Sequence, residues 1–161
     1  MQLYLAGPDV FRPDAAAWAD QARALCAAAG HVALVPLDNV ETTAAGIYRA
    51  NIDLIRSADA VLANLNPFRG CEPDSGTAFE VGFALALGKS VIGYVEHAET
   101  TTERVGRLQG ELRFSGNFPV DRQGWHVENF GLPLNLMLAV PAHIVVGDLA
   151  SALLALGERQ G

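Results

Sequence analysis

Cysteine is nearly absent from this chain of 161 residues: only Cys26 and Cys71 occur, and they do not stand in a Cys-x-x-Cys pair. No disulfide framework can organise the fold, and a domain of this size needs none. A reducing, cytoplasmic compartment is the expected location. Positive charge is scarce as well, with 11 Lys and Arg against 18 Asp and Glu and a formal net charge of -7. Nothing supplies the Lys/Arg stripe that grips a phosphate backbone, so a nucleic-acid polymer is not the expected partner. No apolar run approaches the ~18 residues of a membrane span, and Met1 to Pro8 lacks the charged start and long apolar core of a secretory signal. Glycine is missing where nucleotide-binding loops need it. The first turn, Ala6-Gly7-Pro8-Asp9-Val10-Phe11, matches neither the dinucleotide fingerprint nor a P-loop. His31, His97, His126 and His143 show no ligand spacing, so a metal site is not expected.

What is abundant is apolar: half of the residues are hydrophobic, which suits one globular domain over residues 1–161. Leu3 to Ala6 reads as a strand that ends at Gly7-Pro8. Pro13-Asp14 opens a helix to about Ala29, with Trp18, Ala22, Leu25 and Ala29 as its apolar stripe. His31 to Val35 is a second strand running into Pro36-Leu37-Asp38-Asn39. After a loop to about Gly46, Ile47 to Ala58 is a helix with Ile47, Ile52 and Ile55 as expected core positions. Ala60 to Leu65 and Ser90 to Val95 are further strands. From His97 to about Pro133 glycines at 106, 110, 116, 124 and 131 interrupt every candidate element, so this stretch reads as a long irregular segment. A short helical piece follows over Pro133 to Leu138, then a strand from His143 to Val146 and a helix from Asp148 to Leu156. Strands alternating with helices imply an α/β, flavodoxin-like or Rossmann-like doubly wound fold, a five-stranded parallel sheet of order 2-1-3-4-5 with helices on both faces.

One stretch stands out, Pro73 to Lys89, which reads as a loop and then a helix following the third strand. In an open α/β sheet that junction is where ligands bind. Asp74 and Ser75 suit a helix N-cap, and Gly88 suits its end. Ala78, Phe79, Val81, Phe83 and Leu85 make the helix apolar on every face, as in a buried helix. Glu80 is its one charge between the cap and Lys89. A buried acid needs partners or a task. The bland reading is a structural acid satisfied by Tyr4 or a backbone amide; the functional one is a carboxylate kept ionised by a hydrogen-bond donor to attack an electron-poor carbon. Asp74 alone reads as a cap. Beside Glu80, it completes the pair of carboxylates that cleave glycosidic bonds, one acting on the sugar and one handling the leaving group's proton.

These residues resemble the nucleoside 2-deoxyribosyltransferases. The likeness runs in order through Leu3 to Pro8, Pro36 to Asn39, Ala58 to Ala63, Pro73 to Lys89 and Gly131 to Met137, and its specific part is Pro-Asp-x-Gly-x-x-x-Glu-x-Gly with a downstream Asn-Leu-Met. The resemblance implies transfer of a 2-deoxyribosyl group from a 2′-deoxynucleoside to another free nucleobase, with no cofactor. It implies that Glu80 attacks the anomeric carbon and holds the sugar covalently, that Tyr4 orients Glu80, and that Asp74 protonates the departing base. Asn135 and Met137 are then expected to come from a neighbouring subunit and close over the sugar, so a homo-oligomer is expected. The remaining candidate substrate contacts are Gly7, Pro8 and Phe11 in the first turn, Asn51 and Asp53 on the second helix, and Gly76.

The chain departs from the family at two points. Asn51 occupies the position where some members carry another base-facing aspartate; an amide can hydrogen-bond a base but cannot supply a titrating proton. Val40 stands where some members have a base-contacting glutamine. Two other classes of function compete with transfer: a nucleoside or nucleotide N-glycoside hydrolase, in which water resolves the adduct, and a nucleoside-binding module without chemistry.

Overall fold

The computed structural model describes residues 1–159. Five strands form one parallel sheet: β1 (Gln2–Ala6), β2 (Val32–Leu34), β3 (Ala60–Asn64), β4 (Ser90–Val95) and β7 (His143–Val146), in the order β2-β1-β3-β4-β7. The expected order 2-1-3-4-5 is met, with β7 as the fifth strand of the sheet. The numbering differs because β5 (Arg113–Ser115) and β6 (Phe118–Val120) form a separate antiparallel pair in the segment read as irregular. Six helices accompany them: α1 (Ala15–Ala28), α2 (Ala44–Ser57), α3 (Ser75–Ala86), α4 (Thr101–Gln109), α5 (Leu136–Ala139) and α6 (Leu149–Glu158). Among the described residues no helix is long and apolar enough to cross a membrane.

Side chains alternate across a strand, and that sets which face each residue of β1 serves. Leu3 and Leu5 join the core beneath α1 and α6, with Ala22, Cys26, Leu153 and Leu156. Tyr4 and Ala6 point the other way, into a core shared with Ile55 of α2, Val81 and Ala84 of α3, and Leu138 of α5. Tyr4 is thereby buried under α3.

The stripe of α1 is rotated from the expected one. Ala19, Ala22 and Cys26 are buried, while Leu25 is 44% exposed, because small side chains at three- and four-residue spacing let the helix lie close to the sheet. In α2 Ile52 and Ile55 are buried but Ile47 is 39% exposed. This helix starts at Ala44, where the Thr43 hydroxyl accepts from the Gly46 amide at 3.0 Å. Nor is α3 buried all round. Val81 and Ala84 face the sheet, but Phe79 is 50% exposed, in ring contact with Tyr48 and Phe83.

The segment 97–133 carries real structure. Thr100 and Glu103 cap α4 reciprocally, and Gly106 sits inside the helix. From α4, Arg104 reaches into the core, only 2% exposed. Its Nε donates to the Cys71 carbonyl at 2.6 Å, Nη1 to the Pro133 carbonyl, and Nη2 to Glu72. One guanidinium thus ties the loop before α3 to the loop before α5. Replacing Arg104 by Met strands those carbonyls, and we expect a loss of about 2–4 kcal/mol in urea unfolding.

Candidate active site

The C-terminal end of β1, the Pro36–Asp38 turn after β2, α2 and the start of α3 enclose a cavity of about 410 Å³, within the size range of small-molecule sites. It lies where β1 parts from β2 and β3, the switch point of the sheet. Asp74, Thr77 and Glu80 recur every three residues, so one side of α3 presents all three to it.

The Asp74 carboxylate caps α3. Its Oδ2 accepts from the Thr77 amide at 2.9 Å and from the Thr77 hydroxyl at 3.1 Å. Glu80 sits two turns further on, where its Oε1 accepts from the Tyr4 hydroxyl at 2.6 Å. Burial pushes the Glu80 carboxyl up to about 7; the Tyr4 hydrogen bond acts against this and the neighbouring Asp74 charge adds to it. The donor expected from the sequence is present, yet burial outweighs it, so Glu80 exchanges its proton near neutral pH. Burial, then the adjacent Glu80 charge, push the Tyr4 phenol upward too. Tyr4 therefore stays a hydrogen-bond donor at neutral pH.

Gly7, Phe11, Asn51 and Gly76 line the cavity with Asp74 and Glu80. Gly7 is held to glycine by close approach, since a Cβ there would lie 2.7 Å from Asp9 Oδ2 and 2.8 Å from Asn64 Cβ. Pro8 is outside the wall and starts the short 3₁₀ turn Pro8–Phe11 that carries Phe11 into it. Asp53 is not brought to the cavity: it is exposed and pairs with Arg56 at 3.2 Å. Residues two apart on a helix point to nearly opposite sides, so α2 can offer Asn51 or Asp53 to one cavity but not both. Val40 is 93% exposed.

Leu37 and Asn39 belong to the stretch Pro36 to Asn39 that the sequence singles out, whereas Val10, Ile47 and Glu41 escaped sequence reasoning. Val10, Leu37 and Ile47 make it apolar, and Asn39 and Glu41 add polar groups. The position of Ile47 four residues before Asn51 is the signal that could have found it.

Asn135 and Met137 lie elsewhere, lining a larger cavity of about 950 Å³ with Ser75, Ala78 and Gly82 from the other side of α3. Asn135 caps α5, its Oδ1 accepting from the Met137 amide at 3.0 Å. Its Nδ2 donates to Glu128 at 2.7 Å, and Glu128 also accepts from the Leu136 amide at 3.0 Å. The segment 97–130 therefore has a structural task, because Glu128 fixes Asn135 and Arg104 anchors the loops on either side. The smaller cavity holds both carboxylates, Asp74 and Glu80.

Comparison with known proteins identifies the family. The family model for nucleoside 2-deoxyribosyltransferase matches residues 3–137. A solved structure described as a 2-desoxiribosyltransferase from Leishmania mexicana superposes with a TM-score of 0.77 at 40% identity, covering 93% of both chains. A CMP N-glycosidase from Clostridium botulinum shares the fold at 16% identity, with a TM-score of 0.56 over 99% of both chains. An uncharacterized protein of Schizosaccharomyces pombe is 34% identical over 113 residues, which are 64% of this chain and 54% of that protein, so the matched part spans about half the length of that relative. The family match encloses Tyr4, Asp74, Glu80 and the Asn135 to Met137 cap alike, and the chain belongs to the nucleoside 2-deoxyribosyltransferase family.

Proposed function

We propose that this chain exchanges the base of 2′-deoxynucleosides by two displacements at Glu80, as a cytoplasmic salvage activity. The observation that carries the reading is the 2.6 Å bond from Tyr4 to Glu80 Oε1 at a cavity that also holds Asp74. Tyr4 occupies one carboxylate oxygen and leaves Oε2 free to form the bond to C1′. As that bond forms, the C1′–N bond breaks, its electron pair stays on the base, and Asp74 supplies the proton that lets the base leave neutral. In this scheme Glu80 attacks as the carboxylate, and Asp74 is the group that hands the departing base its proton. An incoming base then attacks C1′, the C1′–Oε2 bond breaks, and the proton released by that base returns to Asp74. A second base, rather than water, is the final acceptor.

The exposed Met137 and the partly uncovered face of α3 support a homo-oligomer, in which Asn135 and Met137 of one copy cover the sugar in the next. Nucleosides are favoured over nucleotides because no Lys or Arg is among the residues lining the Glu80 cavity. The alternative is hydrolysis, favoured by the fold shared with the C. botulinum N-glycosidase. Chromatography after incubation with 2′-deoxyinosine, with and without adenine, separates them. The transferase forms 2′-deoxyadenosine only when adenine is present and Glu80 intact; hypoxanthine released without a new nucleoside would mean hydrolysis, and no reaction with any deoxynucleoside or deoxynucleotide donor would leave a binding module.

Tyr4→Phe tests how Glu80 is held. The Tyr4 hydrogen bond lowers the Glu80 pKa, so its loss moves the acid limb of the rate profile to higher pH. Hydrogen bonds to charged groups are worth about 1.5–3 kcal/mol, which corresponds to a shift of roughly one to two pH units. The measurement is kcat against pH between 5 and 9 for the variant and the unaltered enzyme. A parallel drop at every pH would contradict the assignment.

A further inference from the structure

Among the described residues Arg69 is the one residue other than glycine with a left-handed backbone, at φ 54°. A bulky side chain is strained in that conformation, and the strain persists only where the surroundings over-determine it, as they do at ligand clamps. Here they do. The Phe68 amide donates to the Glu72 carbonyl at 3.0 Å and closes the loop whose tip is Arg69-Gly70, while Arg104 Nε fixes its far side through the Cys71 carbonyl at 2.6 Å. Glycine or asparagine would make the same turn at lower cost. The turn alone therefore does not explain an arginine.

The side chain supplies the explanation. Its guanidinium carbon lies 4.7 Å from the centre of the Phe68 ring and 5.3 Å from that of Phe11, and the two rings are themselves stacked, 5.6 Å apart and 15° from parallel. Among the described residues Arg69 forms no ion pair that would draw it off the rings. Phe11 lines the Glu80 cavity, whereas Phe68 and Arg69 line the larger one. The stack thus joins the first turn of the chain to the loop after β3. Phe11 is 56% exposed and, among the described residues, has no other ring or cation contact. What steadies its ring is this stack.

We propose that Arg69 is a positioning residue: it caps the Phe11–Phe68 stack and so holds the Phe11 ring as a fixed wall of the Glu80 cavity. The identity of the substrate in this inference rests on the transferase reading. A wall that serves the bound substrate and the transition state alike contributes to KM and leaves kcat unaltered.

The experiment compares Arg69→Asn, which suits the left-handed turn but carries no cation, with Arg69→Lys, which keeps a cation over the rings. Steady-state exchange from 2′-deoxyinosine to adenine is measured beside thermal unfolding, and the fluorine NMR line of Phe11 is read in protein labelled with 4-fluorophenylalanine, assigned through Phe11→Leu. In Arg69→Asn the KM for 2′-deoxyinosine should rise roughly 5- to 10-fold with kcat little changed, and the Phe11 line should broaden or split. The unfolding midpoint should stay level or rise, since the backbone strain is relieved. A residue that only stabilised the fold would lower the midpoint instead. Arg69→Lys should stay within about 2-fold of the unaltered KM. An unchanged KM or an unchanged Phe11 line in Arg69→Asn overturns the proposal and leaves Arg69 to the turn, and so does an equal loss in both variants. If no deoxynucleoside is turned over by the unaltered protein, the transferase reading fails instead, and the Phe11 line still decides what Arg69 holds.

Discussion

Glu80→Gln is expected to lower base exchange by on the order of 10⁴-fold or more, as removal of a covalent nucleophile does, and to make the folded protein more stable at neutral pH. The second half follows from burial. Glu80 has an ordinary value of 4.5 in the unfolded chain and about 7 in the folded one. Between those values the folded protein keeps a proton that the unfolded chain has released. The contribution of Glu80 to stability is therefore fully present below pH 4.5 and lost as the pH rises through about 7. Well above pH 7 the ionised carboxylate costs on the order of 3 kcal/mol. A neutral glutamine can still accept from Tyr4 and carries no such cost. Thermal unfolding should show Glu80→Gln raised by roughly 6–12 °C at pH 8 and level with the unaltered protein at pH 4. A variant equally stable at both pH values would mean that Glu80 is not strained by burial, and one that retained exchange would remove it from the reaction.

The stability lost to an ionised Glu80 sits in a part of the chain whose architecture was legible from its residues. The continuous apolar run Leu3 to Ala6, buried on both faces, turn residues after the strands, and the cap at Asp74 specify a parallel sheet with a site at its switch point. The Tyr4 partner of Glu80 was one of two readings open from pattern. Periodicity failed where neighbouring residues differ little in hydropathy: in α1, Trp18, Ala19, Ala22, Leu25 and Cys26 could supply more than one apolar stripe, and tertiary packing chose Ala19, Ala22 and Cys26. The α4 helix was obscured by Gly106 and a polar composition, although Thr100-x-x-Glu103 is the signature of a capping box. Arg104 and Glu128 could not have been placed at all. Arg104 finds the distant backbone of Cys71 and Pro133, and Glu128 the side chain of Asn135, and only the folded chain brings these groups within reach. The choice between Asn51 and Asp53 needed the direction of α2, which spacing alone does not give.

In the proposed reaction Asp74 combines two tasks that substitution can separate. As a cap it accepts from the Thr77 amide, and asparagine does that about as well as aspartate. As an acid it must deliver a proton, which asparagine cannot do. Asp74→Asn is therefore expected to leave the unfolding midpoint nearly unchanged while kcat with 2′-deoxyinosine falls by roughly 10²- to 10⁴-fold, the range of general acid catalysis. Asp74→Ala loses both tasks and should also cost about 1 kcal/mol of stability. The choice of donor distinguishes proton delivery from mere misplacement of α3. In 7-methyl-2′-deoxyguanosine the base is already cationic and leaves without a proton, so cleavage of this donor should be nearly insensitive to Asp74→Asn. A displaced helix would move Glu80 as well and slow both donors equally. Single-turnover release of hypoxanthine and of 7-methylguanine, compared in the two proteins, reads the difference directly; equal losses would assign Asp74 to the cap alone and require another group to protonate the departing base.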